Sequence, residues 1–240
     1  MKAIICGANG AMGKLIDQIL GTQTAGRVSI DGENNVPKTF AELGKVDADM
    51  IIDFSHHSAI ADVVAYAKEH HLAIVVGTTG HTEEEKAMIY AAAQELPVFY
   101  SGNMSLGIAV LCKLAKEAAA FFPDADIEIV ETHHTRKVDA PSGTAKMLFS
   151  AIKEVRPNAV ENCGRSGEGK RTQDEIGIHA LRMGNVVGEH KVIVATDSQT
   201  ITLEHQAHSR ALFAEGALTA AAYLVDQIPG LYDMQAMLRE

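Results

Sequence analysis

The chain predicts an α/β protein in two parts, a doubly wound parallel sheet followed by a second α+β domain with a mixed or antiparallel sheet. Three observations carry this. Short apolar runs alternate with amphipathic stretches at helical spacing through the first hundred residues, and a parallel pair of strands needs such a crossover. A glycine-rich turn follows the first apolar run directly. Towards the end, longer strand-like runs are separated by short turn segments. The totals agree: 240 residues suit one large or two small domains, 47% hydrophobic residues fill a sizeable core, and 20 glycines against 6 prolines fit many tight turns.

Ala3-Ile-Ile-Cys6 reads as a buried strand, Gly7-Ala8-Asn9-Gly10-Ala11-Met12-Gly13 as the turn, and Leu15, Ile16, Ile19 and Leu20 as one face of a helix. Strand, glycine turn and helix in this order are the context of a Rossmann-type dinucleotide fingerprint. Gly7 permits the sharp turn, Gly10 lets a pyrophosphate approach the backbone, and Gly13 lets the helix pack closely. A second strand, Arg27–Ile30, ends in Asp31, placed to accept hydrogen bonds from the adenosine ribose; Gly32 follows, where an arginine would grip a 2′-phosphate. Further strands are expected at Met50–Ser55, Ala73–Val76 and Pro97–Tyr100. The loops Gly77-Thr78-Thr79 and Ser101-Gly102-Asn103-Met104 then fall at carboxyl ends of strands, where such sheets bind ligands.

Charge and cysteine content narrow the function classes. With 21 basic and 31 acidic residues the net charge is −10, which repels nucleic acid and anionic membranes. Cys6, Cys112 and Cys163 are odd in number and lack metal-type spacing, so they read as reduced thiols in a cytoplasmic protein. No apolar run approaches the roughly 20 residues that cross a bilayer. His56-His57, His70-His71 and His81 lack partners at ligand spacing and read as helix-cap and surface histidines; no metal site is expected.

A long helix over 106–122 precedes an alternating strand, Asp126–Glu131. The strand delivers Glu131-Thr-His133-His134-Thr-Arg136-Lys137-Val-Asp139-Ala-Pro141-Ser142-Gly143-Thr144, after which a helix is expected over 145–154. Proton-transfer groups here stand immediately before a helix start, whose unpaired N–H groups and dipole favour an anion. An alternative reading is a solvated basic loop with Ser142 or Thr144 as N-cap. Fully extended, residues 133 and 137 would lie roughly 13 Å apart, so a shared small substrate requires the chain to bend. Segment 156–174 shows no periodicity, strands are expected at 175–182, 186–195 and 200–207 joined as hairpins, and a small-residue helix over 211–227 should return to the first domain. That divides the chain into a dinucleotide-binding domain (1–105 and 210–240) and a substrate-binding, oligomerising domain (106–209).

The stretch Glu131–Thr144 resembles the signature of the dihydrodipicolinate reductases, also called 4-hydroxy-tetrahydrodipicolinate reductases, of lysine and diaminopimelate synthesis. Gly177-Ile-His-Ala-Leu-Arg182, Val187-Gly-Glu-His190 and Ser209-Arg210-x-x-Phe213 extend the resemblance over nearly the whole chain. It implies NADH and/or NADPH as cofactor, a small dicarboxylate substrate and a homotetramer. It implies His133 as proton donor or acceptor, Lys137 as a second proton donor, His134 as a substrate ligand, and Ser142, Gly143 and Thr144 around the substrate carboxylate. It implies cofactor contacts from the loops at residues 7–12, 77–79 and 101–104. Ala11 stands where many members carry arginine, and Gly32 offers no cation for a 2′-phosphate, so NADH is expected to serve at least as well as NADPH. The alternatives are another two-domain NAD(P) oxidoreductase acting on an amino or hydroxy acid, or a non-catalytic dinucleotide sensor.

Overall fold

The structure, a computed structural model, describes residues 1–239. The chain divides into two compact units, Met1–Ser105 joined by the chain from Ala211 onward, and Leu106–Arg210.

The first unit runs β1 (Ala3–Cys6), α1 (Ala11–Leu20), β2 (Thr24–Val28), a short α2 (Phe40–Leu43), β3 (Met50–Asp53), α3 (Ile60–His70), β4 (Ala73–Val76), α4 (Glu83–Ala92) and β5 (Pro97–Tyr100). These strands pair in parallel in the order β5-β4-β3-β1-β2, so the winding reverses between β1 and β3. Strands β1, β3 and β4 are buried at every position, as continuous apolar runs must be in the middle of a parallel sheet. The second strand lies three residues earlier than its sequence suggests. Gly26, not a branched residue, faces Ile4, and the Leu43 methyls fill the space a side chain would take. That glycine hides the strand's start, while Ile30, which looked like its end, is 82% exposed.

The second unit contains α5 (Leu106–Phe121), β6 (Asp126–His133), α6 (Gly143–Lys153), β7 (Val160–Cys163), β8 (Glu175–Arg182), β9 (Gly188–Ala195) and β10 (Thr200–Ala207). The sheet order is β10-β9-β6-β8-β7, parallel on the β8 side of β6 and antiparallel on the β9 side. Two expectations need correction. Residues 160–163 form an edge strand inside the segment that showed no periodicity, because an edge strand with little burial carries no apolar alternation. The reversal at 183–187 is not a hairpin, since β6 lies between β8 and β9. Turn residues report a change of direction and not whether the returning strand pairs with its predecessor or skips past a neighbour. Only β9–β10, turning at 196–199, is a hairpin. Ile127, Ile129, Ile176, Ile178, Val192 and Val194 pack one face of this sheet against apolar residues of α5 and α6.

Helix α7 (Ala211–Leu224) returns to the first unit and lies on α1 and β5 through its small-residue face of Ala214, Gly216, Ala217, Ala220 and Ala221. A three-residue β11 (Gly230–Tyr232) then adds a sixth strand parallel to β5, and α8 (Met234–Met237) follows. His81 also departs from its expected surface position: it is buried with its ring edge-on to Tyr100.

An added Cβ at Gly13 would stand 2.2 Å from the Gly7 carbonyl oxygen and 2.7 Å from the Ala8 Cα, both backbone atoms that cannot rotate away. Gly13→Ala is therefore expected to destabilise the first unit by about 1–3 kcal/mol, read as a lowered denaturant midpoint. An unchanged midpoint would mean that α1 can move off the turn freely.

Candidate active site

The carboxyl ends of β1, β4 and β5 carry the residues expected to hold a dinucleotide, all in the first unit. Gly7 turns the chain at φ +83°, and a Cβ there would strike the Phe54 carbonyl oxygen at 2.3 Å. A Cβ on Gly77 would enter the Phe54 ring, also at 2.3 Å, so Phe54 keeps both glycines bare; its role was not legible in the sequence. Gly10 is the N-cap of α1 and supplies no capping side chain, which leaves the first amides of the helix, at Ala11 and Met12, without a side-chain cap. Asn9 Nδ2 donates to Asp31 Oδ1 at 2.5 Å and to the Glu33 carbonyl at 3.0 Å, and the Glu33 N–H adds a second bond to the Asp31 carboxylate. The Asn9 bond chiefly holds Asp31 below the usual carboxylate range. A bare glycine turn, an uncapped helix start and an ionised acid beside them fit the pyrophosphate and ribose of a dinucleotide.

The neighbouring loops are more occupied. Thr78 is buried and its Oγ1 accepts the Ser55 N–H at 2.9 Å, while Asp53, fully buried at the end of β3, accepts the Ser55 hydroxyl at 2.5 Å. Burial pushes the Asp53 carboxyl up. Thr79 and Gly102 lie side by side, a Cβ on Gly102 being 3.8 Å from Thr79 Cγ2. Ser101 Oγ donates to the Asn103 carbonyl and Met104 is buried, so these two shape the loop from within.

In the second unit, β6 extends two residues further than expected and ends on His133 itself. The same face that buries Ile127 and Ile129 continues to Glu131 and His133, with Gly188 and His190 beside them on β9 and Arg182 on β8. Glu131 has no exposed surface, yet its carboxylate receives four N–H groups. His133 Nδ1 lies 2.5 Å from Oε2, Arg182 donates to both oxygens at 2.9 and 2.8 Å, and the Ser142 amide donates to Oε1 at 3.0 Å. Burial alone would raise the Glu131 pKa; Arg182, His133 and the Ser142 amide outweigh it and hold the carboxyl below its ordinary value. An ionised carboxylate only accepts, so His133 donates through Nδ1 and its Nε2 is the nitrogen left for chemistry. That Nε2 lies over Gly188, where a Cβ would come within 3.1 Å.

Ser142 is 1% exposed. Its hydroxyl accepts the Ala145 N–H at 3.2 Å as N-cap of α6 and is hydrogen-bonded to His190 Nε2 at 3.2 Å, so it supports the helix start from behind. Burial holds the His190 imidazole neutral, its pKa lowered to about 3. Gly143 is exposed at the first position of α6, with nothing within 4 Å of an added Cβ, and Thr144 follows half-buried.

The bend required between 133 and 137 is present. His134 N–H donates to the Val186 carbonyl, Thr135 N–H to Gly184, and Lys137 N–H back to the His134 carbonyl at 3.1 Å, so the crossing segment between β8 and β9 ties the chain over. Lys137 Nζ consequently lies 2.8 Å from Asp139 Oδ1. Lys137 chiefly, with the Gly143 backbone N–H contributing, lowers the Asp139 pKa. His134 lines an opening of about 400 Å³ together with Arg136, Asn185, Val187 and Arg210. Burial first, then Arg136 and Arg210, keep its imidazole neutral. Glu131 and Arg182 are the residues whose function the sequence reading missed. The odd-position alternation of β6 was the available signal, since it puts an acid where an isoleucine is due.

The family descriptions "Dihydrodipicolinate reductase, N-terminus" and "Dihydrodipicolinate reductase, C-terminus" match residues 1–104 and 107–238. A 4-hydroxy-tetrahydrodipicolinate reductase of Caldanaerobacter subterraneus subsp. tengcongensis is 44% identical, covering 100% of this chain and 99% of its own. One from Alkaliphilus oremlandii is 41% identical over 99% and 98%. The dipicolinate-bound dihydrodipicolinate reductase from Paenisporosarcina sp. TG-14 has the same fold, with a TM-score of 0.78 at 24% identity over 97% of each chain. Matched from end to end by both halves of one family and by full-length relatives, the chain belongs to the dihydrodipicolinate reductase family.

Proposed function

We propose that the chain is an NAD(P)H-dependent reductase that converts 4-hydroxy-tetrahydrodipicolinate to tetrahydrodipicolinate in lysine and diaminopimelate biosynthesis. The observation that carries the reading is a histidine held in a defined tautomer on Glu131, a few residues from Lys137, whose ammonium is paired with a carboxylate, that of Asp139. A cation that pairs with one carboxylate can hold a substrate carboxylate in the same place.

When bound, the nicotinamide supplies a hydride to the ring carbon that has lost its hydroxyl; the neighbouring carbon must gain a proton. His133 Nε2, its other nitrogen pinned on Glu131, holds that proton or relays it. Lys137 is the second proton donor. The amides of Gly143 and Thr144 bind a substrate carboxylate with the partial charge of the α6 N-terminus, Ser142 keeps that helix start in place, and His134 binds the substrate as a neutral imidazole. Gly7–Met12 would hold the pyrophosphate and Asp31 the adenosine ribose, with the loops at 77–79 and 101–104 completing the cofactor contacts. Asp31, with Gly32 in place of a cation, favours NADH at least as well as NADPH; the Lys38 stem, which lies against Gly32, leaves NADPH a cation nearby.

The outer face of the five-stranded sheet bears Glu128, His179, Lys191 and Glu204 and is no part of the unit's apolar core, which supports its use as the contact surface of a homotetramer. Among the described residues no helix is long and apolar enough to cross a membrane, and the three thiols are free, in keeping with a cytoplasmic place.

Oxidation of NADH in the presence of freshly generated 4-hydroxy-tetrahydrodipicolinate tests the reading; no turnover would reject it, and turnover of another amino or hydroxy acid would favour a different oxidoreductase. Lys137→Ala is expected to lower kcat at least about 100-fold with cofactor affinity little changed, and an unimpaired variant would remove Lys137 from the mechanism. Raising salt should weaken binding of the dicarboxylate more than that of its neutral diamide; equal loss would argue against charge-based capture.

A further inference from the structure

The Asp139 carboxylate occupies an unusual position for a residue of an anion-binding site. It lies 2.8 Å from Lys137 Nζ, the cation assigned above to substrate. It is already the ligand that group is shaped for, a carboxylate on an ammonium. Two further features make the contact exchangeable. The Asp139 side chain is 57% exposed, so it can leave for water at little desolvation cost. The backbone at the same residue is held in place, because Arg182 donates to the Asp139 carbonyl at 2.6 Å while gripping Glu131. A rotation about the side-chain bonds of Asp139 would therefore free Lys137 without disturbing the turn or the helix.

We propose that Asp139 sets the substrate affinity of this site as a built-in competitor: its carboxylate and one carboxylate of the dicarboxylate substrate take turns on Lys137. This rests on the assignment of Lys137 to substrate. Binding then exchanges one carboxylate for another on the same donors, and the apparent affinity is the intrinsic one reduced by the fraction of molecules in which Asp139 has swung away. It also keeps an ammonium from standing open to any passing anion.

The test is calorimetric titration of the NADH-loaded protein with pyridine-2,6-dicarboxylate, comparing wild type with Asp139→Ala and Asp139→Asn. Removing the competitor should tighten binding by roughly three- to tenfold in Asp139→Ala. Asp139→Asn, which keeps an oxygen near Lys137 but no charge, should fall between. Equal or weaker binding in Asp139→Ala would overturn the proposal and make Asp139 a residue that orders Lys137. Loss of folding in both variants would overturn it as well, by making the contact structural. If wild type neither binds the probe nor turns over 4-hydroxy-tetrahydrodipicolinate, the functional assignment itself has failed. If it does both and Asp139→Ala gains nothing, only the competition has.

Discussion

The carboxylate of Glu131 is the point on which the second unit is organised. Placing an ionised acid where no solvent reaches it costs several kcal/mol unless donors replace the lost water, and here four N–H groups do so. Those donors come from three elements: the end of β6 itself, the end of β8, and the start of α6. One small anion thus fixes the orientation of an imidazole, the position of a helix start and the path of the loop between them. Removing any donor would leave charge uncompensated in the interior, which makes the arrangement stiff.

The polar cluster is continuous with the apolar core. Along β6 the inward positions run Ile127, Ile129, Glu131, His133, and along β9 they run Val194, Val192, His190, Gly188 in register beside them. Helices α5 and α6 cover the apolar part, and the polar part begins where the Ser142 amide, at the start of α6, replaces hydrocarbon with a hydrogen-bond donor to Glu131. A strand's period of two therefore places the reactive groups on the face that also holds the sheet to its helices. In the first unit backbone shape does the corresponding work: Gly7, Gly13 and Gly77 leave room where any side chain would meet Phe54 or the turn itself.

Much of this was readable in the residues. The glycine turn between an apolar run and a helical pattern marked the nucleotide end, and its glycines proved to be places where backbone meets backbone. The dense run from His133 to Thr144 marked the other end, and simple chain length required the bend that the Lys137 N–H to His134 carbonyl bond closes. What escaped the sequence escaped for physical reasons. Gly26 blurred the second strand because its neighbour Leu43 supplies the missing side chain. Strand β7, at an edge with little to bury, had no alternation to reveal it. The reversal after Arg182 looked like a hairpin because turn chemistry is local and strand pairing is not.

The sequence by itself determined the class of fold, the two groups of reactive residues and, through resemblance, the family and the chemistry expected of it, because each is written in short-range spacing or in an unbroken motif. Only the tertiary structure decided which nitrogen of His133 is free, why Ser142 faces inward, and that Asp139 is paired with Lys137. Those answers depend on Arg182, 51 residues along the chain from Glu131, reaching it across a strand pair that no local pattern specifies.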